Sequence, residues 1–430
     1  MRICHERHWT YPCPSRQPRE MKSATQIPAI VEPGHRPGTS GYRRVVLALF
    51  AAGVATFALI YSTQALLPEL ATDFGVSSAQ STLSLSLTTI ALGLTLLVAG
   101  PLSDRIGRTR LIHASLIASV VVAAASALAP TWPTFLGLRL ALGVTIAGLP
   151  AVATAYLREE LHRGAQARAA GLYIGGTAIG GMTGRLATGA VAEAWGWRWA
   201  LTAAALLGLL CAVTVWFALP ASRHFVARRA GVRPMLGMAR RAVSDPVLLA
   251  LYGIGMLGAG AFVAVFNALG FRLTSAPFGL GLGAASLVFL VYALGSAGSA
   301  IAGRLADTFG RRAVVPIGAG LALAGVLLTT CGQLAVVIAG TALMTAGFFV
   351  FHGVASGWVP VRAHAGGVAG AQAASLYLFA YYVGSSVFGT AGGHAWAYAG
   401  WSGVVVLAGA LFAGVAVLSL VLRRSRALTS

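Results

Sequence analysis

The chain is organised by long apolar stretches that alternate with short polar and basic segments. An apolar stretch of about 20 residues is long enough to cross the hydrocarbon core of a bilayer as an α-helix. Because lipid offers no partner for free backbone N–H and C=O groups, such a stretch must be helical. The pattern therefore predicts an all-α integral membrane protein with 12 transmembrane helices. The predicted spans are residues 45–67, 80–101, 110–129, 134–157, 169–192, 198–219, 246–269, 283–303, 313–333, 334–357, 369–392 and 400–422.

A repeat divides these spans into two sets of six. The segment Gly-Pro-Leu-Ser-Asp-Arg-Ile-Gly-Arg at 100–108 returns 203 residues later as Gly-Arg-Leu-Ala-Asp-Thr-Phe-Gly-Arg-Arg at 303–312. Each copy lies between the second and third spans of its set, and Gln64 and Asn267 repeat at the same offset. Two pseudo-symmetric six-helix bundles of this kind can move against each other around a site at the bilayer midplane. The predicted parts are a disordered cytoplasmic tail (1–41), a first bundle (42–219), a cytoplasmic central loop (220–245), a second bundle (246–422) and a cytoplasmic C-terminal tail (423–430).

The charge distribution predicts the orientation of the chain. There are 31 Lys and Arg against 11 Asp and Glu, which gives a formal net charge of +20. Nearly all the arginines fall in segments that the 12 spans place on one side of the membrane. Basic residues accumulate in cytoplasmic loops, so both termini are predicted to be cytoplasmic and no nucleic-acid partner is needed to explain the charge. The four cysteines suggest no disulfide or metal framework.

The duplicated Gly-x-x-x-Asp-Arg-x-Gly-Arg loop resembles the signature loop of the major facilitator superfamily, and the resemblance covers residues 42–425. Three further features resemble the drug:proton antiporter branch, which includes arabinose-efflux-like permeases: the end of the first span after Gln64, Arg139-x-x-x-Gly143, and the glycine-rich fifth span. The resemblance implies a transporter of the bacterial inner membrane with a small-molecule substrate and protons as partners. We expect a monomer in contact with membrane lipids and without a cofactor.

The loop residues are predicted to form a conformational latch. Asp104 and Asp307 can face the positive N-terminal end of a helix in the opposite half, near Ala369 and Arg168 respectively. The arginines can pair with these carboxylates or with lipid phosphates. The simpler alternative is a set of topogenic charges beside a turn glycine. The predicted latch residues are Gly100, Asp104, Arg105, Gly107, Arg108, Gly303, Asp307, Gly310 and Arg311.

Polar residues inside the spans predict a coupling or substrate cavity. Arg139 and Arg185 lie in the fourth and fifth spans, where a charge is costly and usually functional. No Asp or Glu falls inside a predicted span, so His352 is the candidate for proton exchange near neutral pH. The structural alternatives are a snorkelling Arg139, an Arg185 paired with Glu193, and a His352 that only hydrogen-bonds between helices. The predicted residues are Arg139, Arg185, His352, Gln64, Asn267, Tyr377 and Tyr381.

The functional prediction is secondary active transport, as proton-coupled efflux of a small organic or amphipathic compound. Proton-coupled uptake of a small metabolite is the alternative within transport, and a non-transporting membrane sensor is the alternative outside it. An enzyme is not predicted, because the spans lack catalytic carboxylates, a His cluster and a nucleophile motif. No Walker-type phosphate loop occurs in the basic central segment, which argues against ATP-driven transport.

The glycines of the fifth span have close helix packing as their simpler explanation.

Overall fold

The computed structural model describes residues 34–222, 225 and 232–424, and these residues are almost entirely α-helical. The first half contains α1 (Ser40–Tyr61), α2 (Leu67–Asp73), α3 (Ser78–Ile106), α4 (Arg108–Ala127), α5 (Trp132–Ile146), α6 (Gly148–Glu160), α7 (Arg163–Trp195) and α8 (Trp197–Ala218). A short helix, α9 (Val232–Ser244), precedes the second half. The second half contains α10 (Pro246–Thr274), α11 (Leu282–Ser286), α12 (Val291–Phe309), α13 (Arg311–Leu328), α14 (Leu334–Ala365) and α15 (Gly370–Arg424).

These helices account for the 12 predicted spans. Nine helical segments of the described chain are long and apolar enough to cross a bilayer, with α1–α2 and α5–α6 each counted as one segment. A tenth crossing is α7, which has 33 residues but is less apolar because it is rich in glycine. An eleventh runs from α11 through a 3₁₀ turn into α12. The twelfth appears because α15 bends at Ala399 and Gly400, which divides its 55 residues into two arms. The all-α fold of 12 transmembrane helices is confirmed.

The duplicated loop makes the same sharp helix-to-helix junction in both halves. Gly107 joins α3 to α4 with φ +98°, and Gly310 joins α12 to α13 with φ +82°. A side chain with a Cβ is strained at such angles, whereas glycine adopts them readily. One residue therefore ends one helix and starts the next, and the tight turn predicted at these two glycines is present.

Glycines of the fifth span let α7 lie directly against α1. A Cβ added at Gly176, Gly180 or Gly184 would lie 2.5, 2.3 or 2.7 Å from backbone atoms of α1. Contacts this short leave no room for any other residue type, and close backbone approach is how helices gain dispersion energy inside a bilayer. The packing interpretation of these glycines is confirmed.

Buried apolar side chains form two large clusters. One consists of residues between 42 and 219 together with Val263 and Tyr382. The other consists of residues between 242 and 422 together with Ala65. The three exceptions mark places where a helix of one half packs against the other half. Each half thus has its own core, and the space between the two cores is where a cavity can form.

Residues 34–41 differ from the predicted disordered tail. The His35 backbone N–H donates to the Glu160 carbonyl at 2.8 Å, and the His162 N–H donates to the His35 carbonyl at 3.2 Å. These bonds attach the segment before α1 to the α6–α7 junction. The rest of the predicted tail, residues 1–33, lies outside the described residues, as do 425–430 at the C-terminus. The predicted central loop contains α9 within its described part.

The bundle has two ends that differ in charge. The basic end carries the α3–α4, α6–α7, α12–α13 and α14–α15 junctions with their arginines. The opposite end carries α2, α11 and the α7–α8 junction.

Candidate functional site

A central cavity of about 380 Å³ lies between the two halves. The first half contributes residues of α1 and α7, and the second half contributes residues of α10, α12, α14 and α15. The lining is dominated by aromatic rings and carries one guanidinium and one imidazole among the described residues. The lining residues are Phe57, Tyr61, Gly171, Ile174, Gly175, Thr177, Ala178, Gly181, Arg185, Phe262, Tyr292, Phe348, Phe349, His352 and Tyr381.

The aromatic wall on the second-half side is packed ring against ring. Phe262 of α10 stacks on Phe348 of α14 with ring centroids 4.0 Å apart. His352, one turn further along α14, stacks on Phe348 at 5.3 Å and lies 5.0 Å from the Tyr381 ring of α15. Such pairs are held by dispersion and by the ring quadrupoles, so their orientation is well defined. The wall therefore presents a preformed apolar surface.

Arg185 enters the cavity from α7 and is held by two hydrogen bonds and by aromatic rings. Its Nε donates to Oε1 of Gln64 at 2.6 Å, and its Nη1 donates to the Gly181 carbonyl at 2.6 Å. The guanidinium carbon lies 3.9 Å from the ring centroid of Tyr61 and 4.6 Å from that of Tyr292. Aromatic faces attract a cation at these distances. Arg185 is thus a fixed positive group at the boundary between the halves.

The alternative in which Glu193 pairs with Arg185 is wrong. Oε2 of Glu193 instead accepts the backbone N–H of Gly283 at 2.6 Å, across the junction between α7 and α11. Arg185 and Glu193 are eight residues apart on α7, which places them about 12 Å apart along the helix axis. That separation is too large for an ion pair.

Gln64 and Asn267 form a hydrogen bond across the boundary between the halves. Nε2 of Gln64 donates to Oδ1 of Asn267 at 2.7 Å, and Nδ2 of Asn267 donates to the Gly389 carbonyl at 3.3 Å. Both amides are buried, with 1% and 0% of the residue exposed. Along the chain, Gln64 comes after the cavity-lining part of α1 and Asn267 after that of α10. Both residues therefore lie between the cavity and the opposite end. They occupy equivalent positions of the two halves and lie face to face in the structure, and we call this pair the amide gate.

Further contacts between α3 and α15 join the halves on the side of the cavity where the amide gate lies. The Thr89 and Ser386 hydroxyls are 2.8 Å apart, and the Thr390 hydroxyl donates to that of Ser86 at 2.8 Å. The Ser78 hydroxyl donates to the Gly393 carbonyl at 3.3 Å. Together with the amide gate and the Glu193–Gly283 contact, these bonds close the cavity toward the opposite end.

Two of the latch residues at the basic end, Asp104 and Arg108, make contacts within their own half. The Arg108 guanidinium lies 2.7 Å from the Asp104 carboxylate and 3.0 Å from that of Glu159. Asp307 and Arg105 are exposed. In this conformation the partner that the described contacts give Asp104 is Arg108, four residues away in its own half, so its predicted placement against the start of the opposite-half helix stays a prediction. The latch stays a prediction for a state closed at the basic end, and a structure of that state with Asp104 still on Arg108 would contradict it.

Arg139 does not line the described cavity. Only 1% of it is exposed, and it donates to the carbonyls of Ile60 at 2.8 Å and Ser84 at 3.0 Å and to the Ser62 hydroxyl at 3.3 Å. The last carbonyls of a helix have no partner within that helix, and α1 ends at Tyr61. Arg139 therefore caps α1 from α5. This differs both from the predicted cavity role and from a snorkelling side chain, which would reach water.

His352 and Tyr381 line the cavity as predicted, while Tyr377 stands behind the histidine. The Tyr377 hydroxyl lies 2.8 Å from Nδ1 of His352. The sequence interpretation missed most of the aromatic lining, above all Tyr61, Tyr292 and Phe348. Tyr61 stands three residues before Gln64, which is one helical turn and could have drawn attention to it. Tyr292 and Phe348 carry no such signal, because aromatic residues in apolar spans are common.

Comparison with known proteins gives a consistent result. The sequence profile described as Major Facilitator Superfamily matches residues 48–295. The chain is 44% identical to the inner membrane transport protein YnfM of Escherichia coli (strain K12), over 89% of this chain and 91% of that protein. It is 40% identical to the uncharacterized MFS-type transporter YybF of Bacillus subtilis (strain 168), over 86% of this chain and 91% of that protein.

Two solved structures share the fold. One is a bacterial homolog of the human lysosomal transporter Spinster in an inward-facing and occupied conformation, with a TM-score of 0.71 and 16% identity over 90% of this chain and 98% of that one. The other is a single-residue mutant of the nucleoside transporter NupG, with a TM-score of 0.71 and 14% identity over 90% of this chain and 100% of that one. At these identities the likeness concerns the fold alone.

Proposed function

The chain belongs to the Major Facilitator Superfamily and is a membrane transporter, not an enzyme, and from that premise we propose that it exports a small amphipathic organic compound in exchange for protons. The observation that supports the proposal is the aromatic cavity between the halves. The cavity is closed at one end by the amide gate and by the hydrogen bonds between α3 and α15. A single site reached from one side at a time is what alternating access requires.

The chemistry of the lining supports an amphipathic substrate. A cavity of about 380 Å³ lies within the range of pockets that bind small organic molecules. Phenylalanine rings offer apolar faces, whereas the tyrosines and Arg185 offer hydrogen-bond donors at the edge of the same space. A compound with an apolar body and one polar group matches this arrangement better than a sugar, which needs polar partners on all sides.

His352 is the proposed proton carrier. It lines the cavity, and no carboxylate does so among the described residues. Its Nδ1 faces the Tyr377 hydroxyl, which can donate to the neutral ring and accept from the protonated one. Loss and gain of a proton on this ring as the cavity faces each side in turn would link substrate movement to the proton gradient.

The experiment on direction uses purified protein in proteoliposomes with an imposed pH gradient and a panel of labelled amphipathic compounds. Exchange predicts that substrate moves against the direction of proton flow. Symport predicts movement in the same direction, and that result would replace efflux by uptake. Flux of no compound above that of protein-free liposomes would contradict transport of this substrate class.

Replacing His352 by glutamine is expected to abolish the acceleration that a pH gradient gives to transport. Glutamine keeps a hydrogen-bonding group beside Tyr377 but cannot titrate in this range. Exchange of substrate without a gradient should persist, because the aromatic wall remains. The measurement compares flux with and without the gradient at equal amounts of reconstituted protein.

His113→Gln is the matched control for that variant. His113 lies on α4 against Trp216, with ring centroids 5.0 Å apart, and does not line the described cavity. Its gradient dependence should equal that of the wild type. Gradient-driven transport that survives in His352→Gln would leave His352 with only its hydrogen-bonding role.

We also propose that the protein is a monomer in the bacterial inner membrane with the basic end in the cytoplasm. The orientation is supported by the concentration of arginines at that end. In a cysteine-free background, Thr72→Cys and Ser275→Cys should react with an impermeant maleimide added to intact cells, and Ser244→Cys should not. All three residues are exposed. Labelling of position 244 in sealed cells would contradict the proposed orientation.

A further inference from the structure

We propose that Arg185 is the anion anchor of the substrate site, so that the transported compound is a small organic anion whose carboxylate binds this guanidinium. The apolar body of the compound then lies against the wall formed by Phe262, Phe348 and Tyr381. The inference rests on the proposed function, because it specifies the substrate class of the same cavity.

The first observation in favour of an anion is the charge of the cavity. Arg185 is 1% exposed, and no carboxylate is found among the described lining residues. A buried cation without a counter-ion is expensive, and most buried charges in proteins are paired. The acidic residue that shares α7 with it, Glu193, already bonds to Gly283. A positive group therefore faces a cavity in which the described residues supply no opposite charge.

The second observation is that the hydrogen bonds of Arg185 use only part of its donors. A guanidinium has five N–H donors in a planar fork. The described contacts use Nε for Gln64 and Nη1 for Gly181. These contacts leave one N–H of Nη1 and both N–H groups of Nη2, and two such donors can give a carboxylate two parallel bonds.

The third observation is the set of aromatic rings around the Arg185 guanidinium. Tyr61, Tyr292 and Phe289 have ring centroids 3.9, 4.6 and 5.2 Å from the guanidinium carbon. Aromatic faces attract a cation at these distances, and three rings from different elements hold the guanidinium in place. The anchor is thereby preorganised, which reduces the ordering cost of binding.

Arg185 also shares a partner with the amide gate. Gln64 accepts from Arg185 through Oε1 and donates to Asn267 through Nε2. The acceptance from Arg185 determines which way round the Gln64 amide lies, and hence that its NH₂ group faces Asn267. An anion that draws the guanidinium toward itself would act on the gate through this one side chain.

A purely structural Arg185, which only ties α7 to α1, makes a different prediction, namely that binding is indifferent to ligand charge. The test uses the full chain in lipid nanodiscs and three matched probe pairs: benzoate with benzamide, 3-phenylpropionate with 3-phenylpropionamide, and 4-phenylbutyrate with 4-phenylbutyramide. Dissociation constants are obtained from the concentration dependence of the thermal unfolding midpoint. At least one acid should bind about tenfold or more tightly than its amide, as expected for hydrogen bonds to a charged group.

Arg185→Gln should remove the preference for the acid, and Arg185→Lys should retain it with weaker binding, because the charge stays but the fork is lost. Arg198→Gln is the matched control, since Arg198 is half-exposed and pairs with Asp73 at the opposite end. Its preference for the acid should equal that of the wild type. If Arg185→Gln does not fold, the wild type and Arg185→Lys still measure the preference.

An equal affinity for acid and amide in every pair, an amide preference, or an unchanged acid preference in Arg185→Gln would each overturn the anchor. Failure of the proposed function is a separate result: an acid that binds selectively would show no protein-dependent flux in proteoliposomes.

Discussion

Replacing Arg139 by alanine is expected to lower the free energy of unfolding by about 3–5 kcal/mol and to reduce the amount of protein in the membrane severalfold. The change removes a large, fully buried side chain and leaves a cavity between α1, α3 and α5. It also leaves the Ile60 carbonyl at the end of α1 without its donor, and an unpaired buried acceptor costs about 1–3 kcal/mol. Lipid cannot replace the missing donor as water would.

The measurement is the thermal unfolding midpoint of the purified variant together with its abundance in membranes at equal expression. Arg198→Ala is the control, because this arginine is half-exposed and its removal opens no buried space. Transport per molecule of surviving Arg139→Ala protein should keep its substrate preference. Normal abundance combined with a changed substrate preference would place Arg139 in the transport site after all.

Replacing Asn267 by leucine is expected to shift the protein toward the state that is open at the opposite end, and to slow transport at least about fivefold. In the closed state the Nε2 group of Gln64 would lose its acceptor while remaining buried, which costs about 1–3 kcal/mol. In the open state water can satisfy that group. The difference corresponds to a population change of roughly fivefold to more than a hundredfold.

The shift can be measured as the distance distribution between spin labels at Thr72 and Ser275, two exposed residues at the opposite end, one in each half. The long-distance population should grow in Asn267→Leu. Gln64→Leu is less direct, since it also removes the acceptor of Arg185. The double variant should therefore be compared with both single variants, and the two effects should be less than additive. An unchanged distance distribution in Asn267→Leu would remove the gate role.

Several features of the fold were predictable from local sequence alone. The apolar stretches identify the spans because a bilayer requires a minimum apolar length. The repeat of 100–108 at 303–312 identifies two equivalent halves, and the glycine in each copy is present as the predicted helix junction. The common offset of Gln64 and Asn267 likewise assigns them to equivalent positions of the two halves. Equivalent positions come into contact only where both lie at the boundary between the halves, as the hydrogen bond between these two amides shows.

The amino-acid sequence is sufficient to establish the class of this protein, its spans and the identity of the polar groups buried in them. Which of those groups meet depends on the tertiary structure. Arg139 and Arg185 have the same chemistry and neighbouring spans, yet one caps the end of α1 and the other faces the cavity. The physical reason is that the rotation of each helix about its axis depends on packing against its neighbours, here on the glycine contacts of α7 with α1. The partners of a buried arginine, and the aromatic rings that surround it, come from distant spans and leave no pattern within one span.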